Sequence, residues 1–113
     1  MSDIEYIREQ LPEEVLYAQL AEEAAELAQA ALKMYRILDG RNPTPVRFSE
    51  AWADIQEEVS DVLLCLRVLG IGDNLEAYSG QKKAKLDRWA DRLSEVCVDV
   101  KYAHRGCRGS GAV

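Results

Sequence analysis

The sequence predicts an all-α protein, in which long antiparallel helices form a four-helix-bundle-type core that is completed by homo-oligomerisation. Three segments carry apolar residues at the helical period, and two loops containing glycine or proline separate them. Aromatic residues make up only 7% of the chain, which is too few for a typical β-sandwich. Since 113 residues suffice for one core, we predict one helical domain over residues 1–103 and a disordered tail over residues 104–113.

The first long helix is predicted from Glu13 to Leu38, after a short helix from Asp3 to Gln10. Its alanine, leucine, glutamate and glutamine residues are good helix formers. The helix should end at Asp39-Gly40, because Pro43 and Pro45 prevent its continuation. Its predicted apolar stripe consists of Leu16, Leu20, Leu27, Ala31, Met34 and Leu38.

The second and third long helices follow the same pattern. The second is predicted from Ser49, as its N-cap, to Leu69, before Gly70-Ile71-Gly72. Its stripe consists of Trp52, Ile55, Val59, Val62, Leu66 and Leu69. The third is predicted from Asp73 or Asn74 to about Tyr102, with Gly80 as a weak point or a break. Its stripe consists of Leu86, Trp89, Leu93, Val96 and Val100.

These three helices have more apolar surface than one chain can bury. Helices of this length, roughly 30 to 45 Å, pack best side by side, but three of them enclose little core. Further apolar residues widen the seams, namely Val15, Ala25, Ala28, Leu32 and Leu63. We therefore expect a second copy of the chain to complete the bundle, in a homodimer or a homotetramer.

Charge and cysteine content limit the classes of partner and compartment. The net charge of −6 and the pI near 4.8 argue against a general nucleic-acid binder, which needs a basic surface. No stretch approaches the roughly 20 apolar residues of a membrane span. The polar residues 1–10 are unlike a signal peptide, and three cysteines are an odd number without framework spacing. We expect a reduced, cytoplasmic protein with no nucleic-acid or membrane partner.

Four acidic residues lie at or near the apolar stripes rather than on the opposite faces. At 100° per residue, Glu23 projects about 40° from Leu27, and Glu26 lies at the edge of the same stripe. On the second helix, Glu58 lies about 60° from Ile55, with Asp61 about 60° beyond Glu58. Ionised carboxylates clustered at a helix–helix seam need a cation, and an all-oxygen donor set favours Mg²⁺ or Mn²⁺. The alternative is a solvated acidic face after a helix rotation.

Other kinds of site have weaker support in the sequence. The only histidine is His104, so a Glu-x-x-His di-iron site and a histidine-activated nucleophile in the helical region are both excluded. Cys97, His104 and Cys107 make a weak zinc pattern, and Cys65 and Cys97 lie in apolar helical contexts typical of buried thiols.

A basic row on the third helix is a candidate phosphate-binding element. Lys82, Lys85 and Arg88 are spaced three apart and share one helix face. Taken alone, such a row is equally explained by solvated charges on the outer face of the helix, whereas opposite a carboxylate–Mg²⁺ site it would suit a polyphosphate.

The acidic and basic segments together resemble a known family. Glu22-Glu23-Ala24-Ala25-Glu26 and the later Glu57-Glu58-Val59-Ser60-Asp61 are similar to the EExxE and EExxD motifs of the MazG-like, all-α nucleoside triphosphate pyrophosphohydrolases. Lys85-Leu86-Asp87-Arg88-Trp89 resembles the family's Lys-x-x-Arg-aromatic element. This chain departs from the family in a longer segment between the two acidic motifs. The register of the basic element stays open, because Lys85 can also align with the asparagine of many relatives, and the preceding family lysine then matches Gln81 or Lys82.

The resemblance implies a function and roles for individual residues. It implies hydrolysis of a (deoxy)nucleoside triphosphate to the monophosphate and pyrophosphate by a metal-activated water. Glu23, Glu26, Glu58 and Asp61 would bind Mg²⁺, with Mn²⁺ as a substitute. Glu22 and Glu57 would support the ligands or bind an additional metal, and one of them would orient or deprotonate the water. Lys82, Lys85 and Arg88 would bind the substrate phosphates.

Two alternative functions stay open at the level of sequence. One is a catalytically silent helical oligomerisation or adaptor module, in which the acidic residues are merely solvated. The other is a narrow-specificity all-α dUTPase or dCTP pyrophosphatase.

Overall fold

The protein consists of four helices in the part of the chain that the structure describes. The computed structural model describes residues 1–72 and 78–99, and the predicted tail, with His104 and Cys107, lies outside them. The helices are α1 (Asp3–Gln10), α2 (Glu13–Asp39), α3 (Phe48–Leu69) and α4 (Ser79–Asp99). No strand occurs in these two ranges, so the all-α prediction is confirmed for them. None of the helices described combines the length and apolar character needed to cross a membrane.

Local sequence signals explain the start of α1. The Ser2 hydroxyl accepts a hydrogen bond from the backbone N–H of Glu5 at 3.2 Å. The Glu5 carboxylate accepts one from the backbone N–H of Ser2 at 3.0 Å. This reciprocal capping box satisfies two backbone donors that the first turn leaves without partners. The short N-terminal helix is therefore confirmed with its predicted bounds.

The ends of α2 and α3 also follow from the sequence, with one correction. Gly40 and Gly70 follow the two helices in the left-handed conformation, with φ of 74° and 75°, which glycine adopts without steric cost. The prediction of Ser49 as the N-cap of α3 is wrong, because Arg47 occupies that position. The Arg47 carbonyl already accepts the N–H of Ala51 at 3.0 Å, so Ser49 lies within the first turn.

The chain divides into two compact units, Met1–Asp73 and Asn74–Val113. In the first unit, α2 packs extensively on α3, and α1 packs on α3 as well. Residues 15–19 of α2 line a cavity with residues 61–68 of α3, whereas residues 29–36 of α2 line another cavity with Asp54 and Glu58. As residue numbers rise in α2 they fall in α3, so the two helices are antiparallel, as predicted.

One arginine fastens α1 to the end of α3. The Arg8 guanidinium donates hydrogen bonds to the carbonyls of Val68 at 2.7 Å and Arg67 at 2.8 Å. Both carbonyls belong to the last turn of α3, at the negative end of the helix dipole. The Arg67 carbonyl also accepts the backbone N–H of Gly70 at 3.0 Å, so its bond from Arg8 is a second one. Arg8 thereby adds two hydrogen bonds to the last turn of α3 and holds α1 against it.

The buried core is small, and its register on α2 differs slightly from the predicted stripe. The buried apolar residues among those described are Ala30, Met34, Ala51 and Val68. Ala30 and Ile37, rather than the predicted Ala31 and Leu38, face inward on α2. Leu27 and Met34 belong to both the predicted and the observed face, so the contact face at the C-terminal end of α2 is rotated by only about 50° from the predicted stripe.

Many large apolar side chains remain exposed. In the first unit these include Leu32, Tyr35, Leu38, Trp52, Val59 and Leu63. On α4, the predicted stripe residues Leu86, Trp89 and Leu93 are each more than half exposed. The side chains of Val96 and Val100 lie outside the described residues. In each unit, therefore, the described residues leave large apolar side chains in water.

Candidate functional site

Helices α2 and α3 bring three of the four predicted metal ligands together. Glu23 and Glu26 of α2 and Glu58 of α3 each contribute one carboxylate oxygen to a group in which all oxygens lie within 4.8 Å of one another. Glu23 stands between the half-buried Leu20 and Leu27, and Glu58 between Ile55 and Val62. Because Glu23 and Glu58 occupy positions of the apolar seam, packing of the two helices brings their carboxylates together, and the exposed Glu26 adds a third carboxylate from the edge of α2. We call these three residues the carboxylate cluster.

Asp61, the fourth predicted ligand, lies beside the carboxylate cluster. It follows Glu58 by one turn, is half-buried, and lines a cavity together with Glu23. Its negative charge contributes to the raised pKa values of both Glu23 and Glu58. Asp61 therefore adds a fourth acidic group to the electrostatics of the site, although the close group of three oxygens does not include it.

Two oxygens of the carboxylate cluster lack partners. Glu23 Oε2 and Glu58 Oε2 are shielded from solvent and have no hydrogen-bond partner among the described residues. The other oxygen of Glu23, Oε1, accepts a hydrogen bond from the Gln19 amide at 2.8 Å. Since buried polar atoms almost always have a partner, two such carboxylate oxygens at one seam require a particular explanation.

Burial and mutual repulsion raise pKa values in the cluster. Desolvation is the largest cause for both Glu58 and Glu23, and the charges of Glu26 and Asp61 add to it in each case. The pKa of the nearby Cys65 thiol is also raised, by burial and then by Glu23 and Asp61. All of these effects disfavour negative charge, so a cation here would be stabilised by the same groups that repel one another.

The donor set fits a hard divalent cation. It consists only of carboxylate oxygens, with no histidine or thiolate in the close group. Mg²⁺ and Mn²⁺ prefer such oxygen donors, whereas structural zinc sites usually contain cysteine or histidine. The two unpartnered carboxylate oxygens are therefore ligands of the type that Mg²⁺ and Mn²⁺, the ions expected from the sequence, prefer.

The raised pKa values predict a pH-dependent stability difference. Between the ordinary glutamate value of 4.5 and the raised values, the folded protein binds more protons than the unfolded chain, so its stability falls as pH rises. We expect the double variant Glu23→Gln/Glu58→Gln to gain stability over the wild type as pH rises from about 4.5, with the full gain once the pH exceeds the raised pKa values. Urea unfolding in EDTA at several pH values measures this difference. A difference that does not change with pH would contradict the assigned environment.

Two cavities flank the carboxylate cluster in the first unit. One, of about 310 Å³, is a mainly apolar groove lined by Ile7, Leu11, Leu16, Leu64 and Val68, with Glu23 and Asp61 at its polar side. The other, of about 540 Å³, is polar and is lined by Glu26, Gln29, Lys33, Arg36, Asp54 and Glu58. The cluster thus lies between an apolar surface and a cavity that contains cationic groups.

The sequence interpretation did not select Lys33, Arg36 or Gln19. Lys33 follows Glu26 by seven residues, which places it about 20° from Glu26 on the same face of α2. Gln19 precedes Glu23 by four residues, one turn away on the same face. These spacings could have indicated that Lys33 and Gln19 lie near the acidic residues. The sequence does not show which face of α2 packs against α3, however, so it could not select them.

The remaining predicted site residues lie on exposed surfaces. Glu22 and Glu57 are exposed on α2 and α3, each next in sequence to a member of the carboxylate cluster. Lys82, Lys85 and Arg88 are exposed on α4, in the second unit. The neighbouring Lys83 forms an ion pair with Asp87 at 3.1 Å. Cys65 is a free, half-buried thiol, whereas the side chain of Cys97 lies outside the described residues.

Comparison with known proteins gives no assignment for this site. The chain has no significant match among protein-family models, curated proteins or solved structures. Support for a function therefore comes from the residues and the geometry of the site.

Proposed function

We propose that the protein is a Mg²⁺-dependent nucleoside triphosphate pyrophosphohydrolase of the MazG-like type. It would convert a (deoxy)nucleoside triphosphate to the monophosphate and pyrophosphate. The observation that carries this proposal is the convergence of Glu23, Glu26 and Glu58, with two buried oxygens that have no partner among the described residues. The EExxE and EExxD spacing supports it, because the two motifs supply these three residues and the adjacent Asp61.

The proposed metal ligands are Glu23, Glu26, Glu58 and Asp61. Bound Mg²⁺, or Mn²⁺ in its place, would neutralise phosphate charge and lower the pKa of a water molecule. Ligation would also give partners to Glu23 Oε2 and Glu58 Oε2. The hydrogen bond from Gln19 to Glu23 Oε1 would hold that carboxylate in place.

Residues around the ligands would complete the reaction. Glu22 or Glu57, exposed beside the cluster, would accept a proton from the attacking water. Lys82, Lys85 and Arg88 of α4 would offset charge on the departing pyrophosphate. No covalent intermediate is required, which agrees with a site built from carboxylates and cations rather than from an activated nucleophile.

The apolar groove supports a nucleotide as the substrate. It borders Glu23 and Asp61, and its lining is mainly aliphatic. A nucleobase is a flat, largely apolar group that would bury surface in this groove while its phosphates lie toward the carboxylates. Gln19 is the neutral side-chain amide in the lining, so hydrogen-bond recognition of the base edge in the groove would depend mainly on this residue.

The proposed active form is a cytoplasmic homodimer or homotetramer. Exposed apolar side chains on α2 and α3, such as Leu32, Tyr35, Trp52 and Leu63, support association, because one chain leaves them in water. The same observation favours the second candidate function, a helical oligomerisation or adaptor module without catalysis. The two candidates differ in their need for metal.

The test is pyrophosphate release from a panel of ribo- and deoxyribonucleoside triphosphates in Mg²⁺, Mn²⁺ or EDTA. We expect release of pyrophosphate and monophosphate that depends on the divalent ion. Activity confined to dUTP or dCTP would identify the narrow-specificity alternative. Absence of turnover for every nucleotide with both metals would overturn the enzymatic proposal and favour the adaptor module.

A further inference from the structure

We propose that Lys33 and Arg36 of α2 form a binding subsite for the distal phosphates of the substrate. The triphosphate would extend along α2, from the carboxylate cluster toward these two cations. This inference deepens the proposed function and rests on it for the identity of the ligand as a polyphosphate. It assigns phosphate binding to the first unit itself, in addition to any role of α4.

The polar cavity brings these cations and the carboxylate cluster into one space. Its volume is about 540 Å³, and Lys33 and Arg36 line it together with Glu26 and Glu58. Both cations are half-buried rather than fully exposed. The cavity therefore has acidic groups suited to a metal and basic groups suited to phosphate oxygens in its wall.

Lys33 and Arg36 have no anionic partner in the part of the chain that the structure describes. The ion pairs found there are Arg41–Asp39 at 2.8 Å and Lys83–Asp87 at 3.1 Å. Asp54 and Glu58 line the same cavity, yet neither is paired with the two cations. Because partly desolvated cations are stabilised by an anion, an external anionic ligand fits this cavity.

Helix geometry gives the cations the spacing that an extended polyphosphate needs. Lys33 lies about 10 Å along the α2 axis from Glu26, on nearly the same face, and Arg36 lies about 15 Å from it. The long side chains of lysine and arginine can reach back over part of these distances. A metal held by carboxylates at one end and a guanidinium at the other is a suitable arrangement for a chain of phosphates.

A structural role for the same residues predicts different behaviour. Arg36 lies in the last turn of α2, where a cation is favourable to the helix dipole. If that were its only role, its replacement would lower thermal stability slightly without altering polyphosphate binding. Binding and melting measurements on the same variants separate the two roles.

The experiment measures binding of inorganic tripolyphosphate to the full chain by titration calorimetry in the presence of Mn²⁺. We expect Lys33→Gln/Arg36→Gln to weaken binding at least tenfold. The control Lys83→Gln/Arg92→Gln removes the same number of charges from exposed positions of α4 and should change affinity less than threefold. The charge-preserving variant Lys33→Arg/Arg36→Lys should retain binding within about fivefold, which guards against a folding defect in the first variant.

The outcomes separate this inference from the proposed function. Equal tripolyphosphate affinity of the wild type and Lys33→Gln/Arg36→Gln overturns the subsite, and so does failure of the wild type to bind tripolyphosphate. Neither result decides whether the protein hydrolyses nucleotides, because binding of tripolyphosphate requires no turnover. Hydrolysis is tested separately by pyrophosphate release. Selective loss of binding in Lys33→Gln/Arg36→Gln, with Mn²⁺ affinity in the absence of phosphate unchanged, supports the subsite even if no nucleotide is hydrolysed.

Discussion

Replacing Glu58 by glutamine is expected to lower pyrophosphate release roughly a thousandfold without loss of helix. Glu58 is the α3 member of the carboxylate cluster, and its Oε2 is buried without a partner among the described residues. Glutamine keeps the shape of the side chain but removes the negative charge that a divalent ion needs. The fold should persist, because burial raises the pKa of Glu58 and a neutral side chain is favoured there. Initial rates with saturating Mg²⁺, together with far-ultraviolet circular dichroism, measure both effects.

Glu50→Gln is the matched control for this variant. Glu50 lies on the same helix, in its first turn, and is exposed. Its replacement removes the same charge from α3 without touching the carboxylate cluster, so the rate should stay within about twofold of the wild type. If Glu58→Gln retained the wild-type rate, Glu58 would not be a metal ligand. If it unfolded while Glu50→Gln did not, Glu58 would have a structural role.

Thermal stability should depend strongly on divalent metal. At a Mg²⁺ or Mn²⁺ concentration 100-fold above the dissociation constant, binding to the folded state alone adds about 2.7 kcal/mol. For a domain of about 100 residues this corresponds to a rise in Tm on the order of 10 °C. The physical reason is that a bound ion would relieve the repulsion among the clustered carboxylates and would give partners to the two buried oxygens. Differential scanning fluorimetry in metal and in EDTA measures the shift.

The double variant Glu23→Gln/Glu58→Gln should lose this metal-induced shift. Its Tm in EDTA at neutral pH should equal or exceed that of the wild type, because two unfavourable buried charges are removed. Glu13→Gln/Glu50→Gln removes two charges from the exposed first turns of α2 and α3 and should keep the metal shift. A wild-type Tm indifferent to millimolar Mg²⁺ and Mn²⁺ would contradict the metal site and favour the adaptor module.

The helices were predictable because their signals are local. Asp3–Gln10 and Glu13–Asp39 agree with the predicted bounds to within one residue, since Ser2, Gly40 and the following prolines act on neighbouring backbone groups. The N-cap of α3 was less predictable. Ser49 has a suitable side chain, but the backbone of Arg47 accepts the first helical hydrogen bond. The position of the N-cap is therefore set by the backbone conformation before the helix, and not by the capping preference of the serine side chain.

The candidate site was predictable in part for the same reason. Helical spacing alone placed Glu23 inside an apolar stripe and Glu58 near one, so their burial at a helix–helix seam was expected. The periodicity of one helix does not specify which residue of the other helix it faces. The sequence therefore could not show that the oxygens of Glu26, and not those of Asp61, lie within 4.8 Å of the oxygens of Glu23 and Glu58.

By itself, the sequence determined four helices in the described ranges and the acidic residues carried on their apolar faces, because both follow from the period of a single helix. Only the tertiary structure decided the axial alignment of α2 and α3. That alignment brings three carboxylates within 4.8 Å and opens the cavity that contains Lys33 and Arg36. The physical reason is that contacts between helices depend on the packing of many side chains along both seams, whereas helix formation and amphipathicity depend on residues three or four positions apart.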